Sequence, residues 1–129
     1  MSPDQLVQHA LRAQENAFAP FSNFKVGAAL LTADGKVFTG CNVENASYGL
    51  TVCAERVALW KAISEGERTF ARLAVVTEGE RPASPCGACR QLLWEFCGDM
   101  EVILANTRGL RESYSLANLF PHPFDRSSL

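Results

Sequence analysis

Cys53-Ala54-Glu55 and Pro85-Cys86-Gly87-Ala88-Cys89 are the two stretches that decide how this sequence is interpreted. Together they supply three cysteine thiols and one spare carboxylate. Structural zinc normally has four protein ligands, whereas catalytic zinc keeps three and leaves the fourth position to water or substrate. The pattern therefore predicts a catalytic metal site whose ligands are Cys53, Cys86 and Cys89.

The predicted ligands all fall at the beginning of helices. Cys53 opens one helical pattern, and Cys86 and Cys89 open another that follows a strand. A helix N-terminus carries partial positive charge and favours thiolate over thiol, which is the form that a metal binds. Zn²⁺ is the expected ion because it suits three soft sulfur ligands. Arg56, in the first turn after Cys53, is placed to donate hydrogen bonds to the sulfurs and offset their charge.

Glu55 is interpreted as a proton shuttle rather than as a fourth ligand, because a carboxylate beside activated water is suited to general acid and base catalysis. A glutamate in a first helical turn could also serve only to favour the helix dipole.

Two other readings of the cysteines stay open at this stage. The pair Cys86 and Cys89 at a strand-to-helix junction is also typical of a dithiol redox centre. A structural zinc site with Cys41 as fourth ligand is compatible with the spacing, whereas Cys97 lies about 12 Å further along the helix than Cys89, at 1.5 Å per residue. The histidines, His9 and His122, belong to no spaced motif.

Apolar periodicity and turn residues predict alternating helices and strands. A first helix is expected from Pro3, after the capping residue Ser2, to near Ala19-Pro20. The other predicted elements are a hairpin of 25–32 and 37–43, a helix over 53–65, a strand over 71–77, a helix over 86–96, a strand over 101–105, and a less regular tail with a possible strand at 112–116 and helix at 115–119. Strand, helix and strand in succession predict a parallel crossover.

The composition limits the class of protein. The 129 residues, 47% hydrophobic and 20% charged, predict one α/β domain over residues 1–129. Five cysteines without an export signal favour reduced thiols, and the absence of a signal-like start or a long apolar stretch predicts a cytoplasmic location without membrane contact. A net charge of −2 without a basic stripe disfavours a nucleic acid polymer as partner.

Cys53-Ala54-Glu55 with Pro85-Cys86-Gly87-Ala88-Cys89-Arg90-Gln91 resembles the zinc-dependent cytidine deaminase superfamily in its three-cysteine variant. Phe21-Ser22-Asn23-Phe24-Lys25-Val26-Gly27-Ala28-Ala29 and Gly40-Cys41-Asn42-Val43-Glu44-Asn45-Ala46 are similar to the small tetrameric members that act on free nucleosides. The resemblance implies a three-layer α-β-α domain with a mixed sheet of about five strands, one Zn²⁺ per chain and a homotetramer with shared active sites.

The same resemblance implies roles for further residues. Cys53, Cys86 and Cys89 would hold zinc, and Glu55 would transfer protons while zinc-bound hydroxide attacks C4 of cytosine. The substrate contacts that it implies are the ribose 3′-hydroxyl for Asn42 and Glu44, the base edge for the backbone near Ala54 and Ser84, the nucleoside for Phe24, and contacts across a subunit interface for Tyr48 and Phe124.

The expected reaction is therefore hydrolytic deamination of cytidine and deoxycytidine to uridine and deoxyuridine plus ammonia, in pyrimidine salvage. Three alternatives remain: a deaminase of another nucleoside-like substrate, an editor of RNA or DNA, and a non-enzymatic zinc-stabilised binding module. The first alternative is expected to lack the ribose-binding pair Asn42 and Glu44, which this chain contains. The second would need a basic channel with stacking aromatic residues, which the net charge of −2 disfavours.

Overall fold

A five-stranded mixed sheet forms the centre of the computed structural model, which describes residues 1–129. The strand order is β2-β1-β3-β4-β5, with β3 and β4 parallel and the other neighbouring pairs antiparallel. The strands are β1 (Val26–Thr32), β2 (Val37–Cys41), β3 (Phe70–Thr77), β4 (Glu101–Asn106) and β5 (Arg111–Ser115). The predicted mixed sheet and the parallel strand-helix-strand crossover are confirmed.

Four α-helices accompany the sheet: α1 (Pro3–Gln14), α2 (Ala54–Ser64), α3 (Gly87–Cys97) and α4 (Leu116–Leu119). Two short 3-10 helices cover Tyr48–Leu50 and Arg126–Ser128. The predicted cap Ser2 forms a capping box at α1, in which Ser2 Oγ accepts from Gln5 N–H at 3.2 Å and Gln5 Oε1 accepts from Ser2 N–H at 2.9 Å. None of the helices combines the length and the apolar character needed to cross a lipid bilayer.

Both faces of the sheet are buried, because neighbouring residues of the central strands point to opposite faces and are nearly all apolar. On one face α1 contributes Leu6, Val7 and Ala10, which pack against alternate residues of β1, β3 and β4. On the other face α2 and α3 cover the remaining apolar residues of the same strands: Ala28, Leu30, Leu73, Val75, Val102 and Leu104. The expected three-layer α-β-α arrangement is therefore confirmed.

The first helix is shorter than predicted: it ends at Gln14 rather than near Ala19-Pro20. Ala17 and Phe18 keep helical spacing in the sequence, but Phe18 is held elsewhere by backbone pairing. Its N–H donates to the Asn42 carbonyl at 2.9 Å, and its carbonyl accepts from Glu44 N–H at 2.8 Å. The same pairing explains why β2 ends at Cys41 instead of continuing to Val43, since residues 42–44 turn to bond with Phe18.

Helix α2 lies backbone against backbone on β2 at Gly40. A Cβ atom at position 40 would lie 2.4 Å from the Ala54 carbonyl oxygen and 2.6 Å from the Ala58 nitrogen. Any side chain there would collide with backbone that has little freedom to move. Glycine at this position therefore fixes how closely the N-terminal end of α2 approaches the sheet.

Candidate active site

Cys53 and Cys86 occupy the N-cap positions of α2 and α3, with the extended backbone typical of such positions. Neither side chain makes a capping hydrogen bond. N-caps usually carry Ser, Thr, Asp or Asn, whose oxygen satisfies a free backbone N–H. Cysteines placed here without capping leave their sulfur atoms free for another partner.

The Sγ atoms of Cys53, Cys86 and Cys89 all lie within 4.8 Å of one another, as predicted from the two stretches. Zn–S bonds of about 2.3 Å in a tetrahedron set sulfur atoms about 3.8 Å apart, so the separations are close to those that zinc requires. Cys89 is buried and Cys86 is exposed, which leaves the cluster open on one side. The donor set therefore fits a zinc ion with an accessible fourth position.

Arg56 lies beside this cluster and donates from Nη2 to Cys53 Sγ at 3.1 Å. The Arg56 Nε atom is buried and has no hydrogen-bond partner. The hydrogen bond from Cys89, supported by Arg56, lowers the pKa of Cys53 to about 5. The contact with Cys53, together with burial, raises the pKa of Cys89. The arrangement therefore favours the thiolate form of Cys53, next to a cation that offsets its charge.

Glu55 is 5% exposed, although it immediately follows the N-cap of α2. Burial raises the pKa of Glu55 to about 7, and the negative charge of Cys53 acts in the same direction. A carboxyl with a pKa near neutrality is suited to accepting a proton and then releasing it. A glutamate that served only the helix dipole would have no need to be buried.

A cavity of about 270 Å³ opens next to the cysteines, and Cys53, Cys86 and Glu55 line it. Most of the sequence-predicted substrate residues line the same cavity: Phe24, Asn42, Glu44, Ala54 and Ser84. Residues predicted from four separate segments of the sequence therefore surround one concave site, which is the usual shape of a small-molecule pocket.

Asn42 and Glu44 reach the cavity in different ways. Asn42 is 8% exposed; its Oδ1 accepts from Val26 N–H at 2.9 Å and its Nδ2 donates to the Phe24 carbonyl at 2.8 Å. Glu44 accepts from the backbone N–H groups of Phe21 and Ser22, at 2.9 and 3.1 Å, and from the Ser22 hydroxyl. The Ser22 hydroxyl lowers the pKa of Glu44 and so favours its ionised form.

Tyr48 and Phe124 do not line this cavity in their own chain. Tyr48 is 75% exposed and packs edge-on against Phe21, with ring centroids 6.1 Å apart. The Phe124 ring is exposed, while its carbonyl accepts from Gln91 Nε2 at 2.8 Å. Both aromatic rings therefore lie on the surface of the isolated chain.

The structure adds residues that the sequence did not single out. Ser22, Thr51 and Thr77 supply hydroxyl groups to the cavity wall. Arg90 lies behind the wall and bonds to the segment that contains Ser84. Thr77 could have been noticed as a polar residue that ends an apolar strand, but nothing in the local sequence marks the contacts of Arg90.

Cys41 and Cys97 do not join the sulfur cluster, and neither do His9 and His122. A structural zinc site completed by Cys41 is therefore wrong. The dithiol reading is disfavoured as well, because a third sulfur, Cys53, contacts the Cys86 and Cys89 pair. The remaining interpretation is an open metal site formed by the sulfur atoms of Cys53, Cys86 and Cys89.

Comparison with known proteins agrees with this geometry. The family model for the cytidine and deoxycytidylate deaminase zinc-binding region matches residues 1–106. A cytidine deaminase from Sporosarcina psychrophila is 48% identical over 130 residues, covering 100% of this chain and 96% of the relative. One from Halalkalibacterium halodurans is 50% identical over 125 residues, covering 96% and 95%.

Solved structures lead to the same family. The crystal structure of cytidine deaminase from Burkholderia pseudomallei superposes with a TM-score of 0.92 at 53% identity, covering 96% of this chain and 100% of that one. Identity at this level over the whole chain, together with three clustered sulfurs beside a buried glutamate, places the protein: the chain belongs to the cytidine and deoxycytidylate deaminase family.

Proposed function

We propose that this chain is a zinc-dependent cytidine deaminase that converts cytidine and deoxycytidine, with water, to uridine and deoxyuridine plus ammonia. The observation that carries the proposal is the three-sulfur cluster beside buried Glu55, at a cavity of nucleoside-binding size. Similarity to cytidine deaminases at about half identity over nearly the full chain supports the same substrate class.

Cys53, Cys86 and Cys89 would hold one Zn²⁺ per chain. When bound, zinc supplies a Lewis acid that makes water nucleophilic near neutral pH. Three thiolates would give the site a net negative charge, which weakens this effect. Arg56 counters the charge through its hydrogen bond to Cys53, and the N-terminal ends of α2 and α3 contribute further positive potential.

Glu55 would move the protons of the reaction. As a carboxylate it accepts a proton from the attacking water, and as a carboxylic acid it delivers that proton to the pyrimidine ring. The water oxygen would then be bonded to C4 as a hydroxyl, whose remaining proton Glu55 would pass to the amino group; the C4–N bond breaks, ammonia leaves and the C4 carbonyl of the uridine product forms. A pKa of about 7 allows both steps without a large energetic penalty in either direction.

The remaining wall of the cavity would bind the nucleoside. Glu44 offers carboxylate oxygens to a ribose hydroxyl, and Asn42 keeps one amide N–H beyond the one that it donates to Phe24. Phe24 would contact the nucleoside, while the backbone near Ala54 and Ser84 would bind the edge of the base. All five residues line the cavity.

The active assembly would be a homotetramer in which Tyr48 and Phe124 act across subunit interfaces. Their exposure in the isolated chain, and their absence from the cavity of their own chain, support this assignment. Exposed Phe21 packs against the Tyr48 ring and exposed Leu50 follows Tyr48 closely in the sequence, and both add apolar area that a neighbouring subunit would cover.

One catalytic domain over residues 1–129 would act on free nucleosides in pyrimidine salvage. Five free cysteines and a thiolate metal site suit a reducing compartment, so the cytoplasm is the proposed location. The net charge of −2 supports a small-molecule substrate rather than a nucleic acid polymer.

The experiment is to follow ultraviolet absorbance when zinc-loaded protein meets cytidine, beside Glu55→Gln, with metal content measured on both. Turnover should be lost at least about 10²-fold in Glu55→Gln while zinc content stays at about one per chain. Two silent, zinc-replete proteins would refute the proposal and favour the binding module. Near-normal turnover in Glu55→Gln would remove the shuttle role.

A further inference from the structure

We propose that Arg90 is a positioning residue that holds the cavity wall at Ser84 and Pro85 and, through it, the metal-binding end of α3. This inference deepens the proposed function and rests on it for the substrate. It concerns a side chain that neither lines the cavity nor touches a sulfur atom.

The segment to be held, residues 78–85, has little structure of its own. It connects β3 to α3, and none of the backbone–backbone hydrogen bonds of the chain involves these residues. Its first part is held by side chains: Asn106 Nδ2 donates to the carbonyls of Gly79 and Glu80, and Ala83 N–H donates to Thr77 Oγ1. A loop without backbone pairing depends on such contacts for a fixed shape.

The last part of the segment bonds to Arg90. Arg90 Nε donates to the Pro85 carbonyl at 2.8 Å, and Nη2 donates to Ser84 Oγ at 2.6 Å. Pro85 is fully buried and directly precedes Cys86. Two donors of one planar guanidinium therefore fix consecutive residues immediately before a sulfur of the cluster.

The third donor reaches a distant part of the chain. Arg90 Nη1 donates to the carbonyl of Leu119, the last residue of α4. That contact ties the cavity wall to the point where the C-terminal segment with Phe124 begins. The three hydrogen bonds of Arg90 go to three different residues and leave from three nitrogen atoms of the planar guanidinium. A lysine ammonium has a single nitrogen atom and cannot donate in the same three directions.

The test compares zinc-loaded parent protein with Arg90→Ala and Arg90→Lys, using zinc release to a chelator and the KM for cytidine. Both variants should release zinc about 10-fold faster and show a KM about 10-fold higher, because partners that orient a metal site typically change affinity or activity by 10- to 100-fold. Arg68→Ala is the matched control, since Arg68 Nη1 bonds the carbonyls of Ile63 and Glu67 away from the site. It should leave both quantities unchanged.

Each possible result either supports or overturns the positioning role of Arg90. Full rescue by Arg90→Lys would mean that charge alone matters and would overturn the proposal, as would parent-like zinc release and KM in folded Arg90→Ala. Should both Arg90 variants fail to fold, Ser84→Ala removes one bond at an exposed residue; severalfold faster zinc release supports the proposal, and an unchanged rate overturns it. A parent that binds zinc but does not turn over cytidine refutes the proposed function instead, while zinc release still tests Arg90.

Discussion

Arg56 Nη2 lies 3.1 Å from Cys53 Sγ, so that α2 supplies a thiolate at its N-cap and, three residues later, the cation that stabilises it. The pair forms within a single helical turn and needs no other element to bring it together. This local origin explains why the sequence alone predicts it. It also means that the contribution of Arg56 to the metal site can be tested without disturbing the sheet.

Replacing Arg56 by alanine should weaken zinc binding about 10- to 100-fold, because the cluster loses its main charge-balancing donor. Competition with a zinc-selective chelator at fixed pH measures the change. Lys61→Ala, which removes an exposed cation further along α2, is the control. Equal zinc affinity in Arg56→Ala and parent protein would exclude a role for Arg56 at the metal.

Asn42→Ala should lower the free energy of unfolding by about 2–4 kcal/mol. The substitution leaves the Phe24 carbonyl and the Val26 N–H without their partner, and an unsatisfied polar group at such a partly buried position costs about 1–2 kcal/mol. Urea unfolding at one protein concentration measures the loss. Asn16→Ala, at an exposed side chain, should stay within about 0.5 kcal/mol of the parent. Parent-like stability in Asn42→Ala would show that the two bonds contribute nothing to folding.

Cys97 should resist alkylation at pH 8, because burial raises its pKa to about 12 and only about one molecule in 10⁴ then carries the reactive thiolate. The rate of iodoacetamide labelling, followed by mass spectrometry, should rise about tenfold per pH unit from 7 to 9 without levelling off. In urea-unfolded protein the same thiol should level off above about pH 8.5. A plateau near that pH in the folded protein would contradict the prediction.

If Phe124 acts in a neighbouring subunit, mixing Phe124→Ala chains with Glu55→Ala chains should restore part of the activity. Some hybrid sites then combine an intact Glu55 with an intact Phe124 from the other chain. Glu55→Ala mixed with Glu55→Gln is the control and should stay inactive. Absence of recovery in hybrids whose assembly is verified would place Phe124 outside the neighbouring site.

The sequence predicted what depends on neighbouring residues or on strong periodicity. The helices that begin at Cys53 and Cys86 and the apolar central strands follow from local pattern, and the structure confirms them. The sulfur cluster joins distant residues, but the two cysteine motifs predict it because their residue types suit a shared metal ion. The end of α1 was mispredicted because Phe18 pairs with Asn42 and Glu44, far away in the sequence. The bond of Arg90 to Leu119 was missed for the same reason. Such contacts appear only once the chain has folded.

Gly40 limits how this site can change. The backbones of α2 and β2 are already in close contact at Gly40, so α2 cannot move closer to the sheet or rotate without a collision. The cavity therefore cannot be enlarged for a larger base by shifting α2. Phe24 and Ser84 line the cavity and are exposed, so substitutions at these positions can widen it without moving α2. Variants that accept bulkier nucleosides should therefore carry substitutions near Phe24 and Ser84 and keep Gly40 and the residues of α2 that line the cavity.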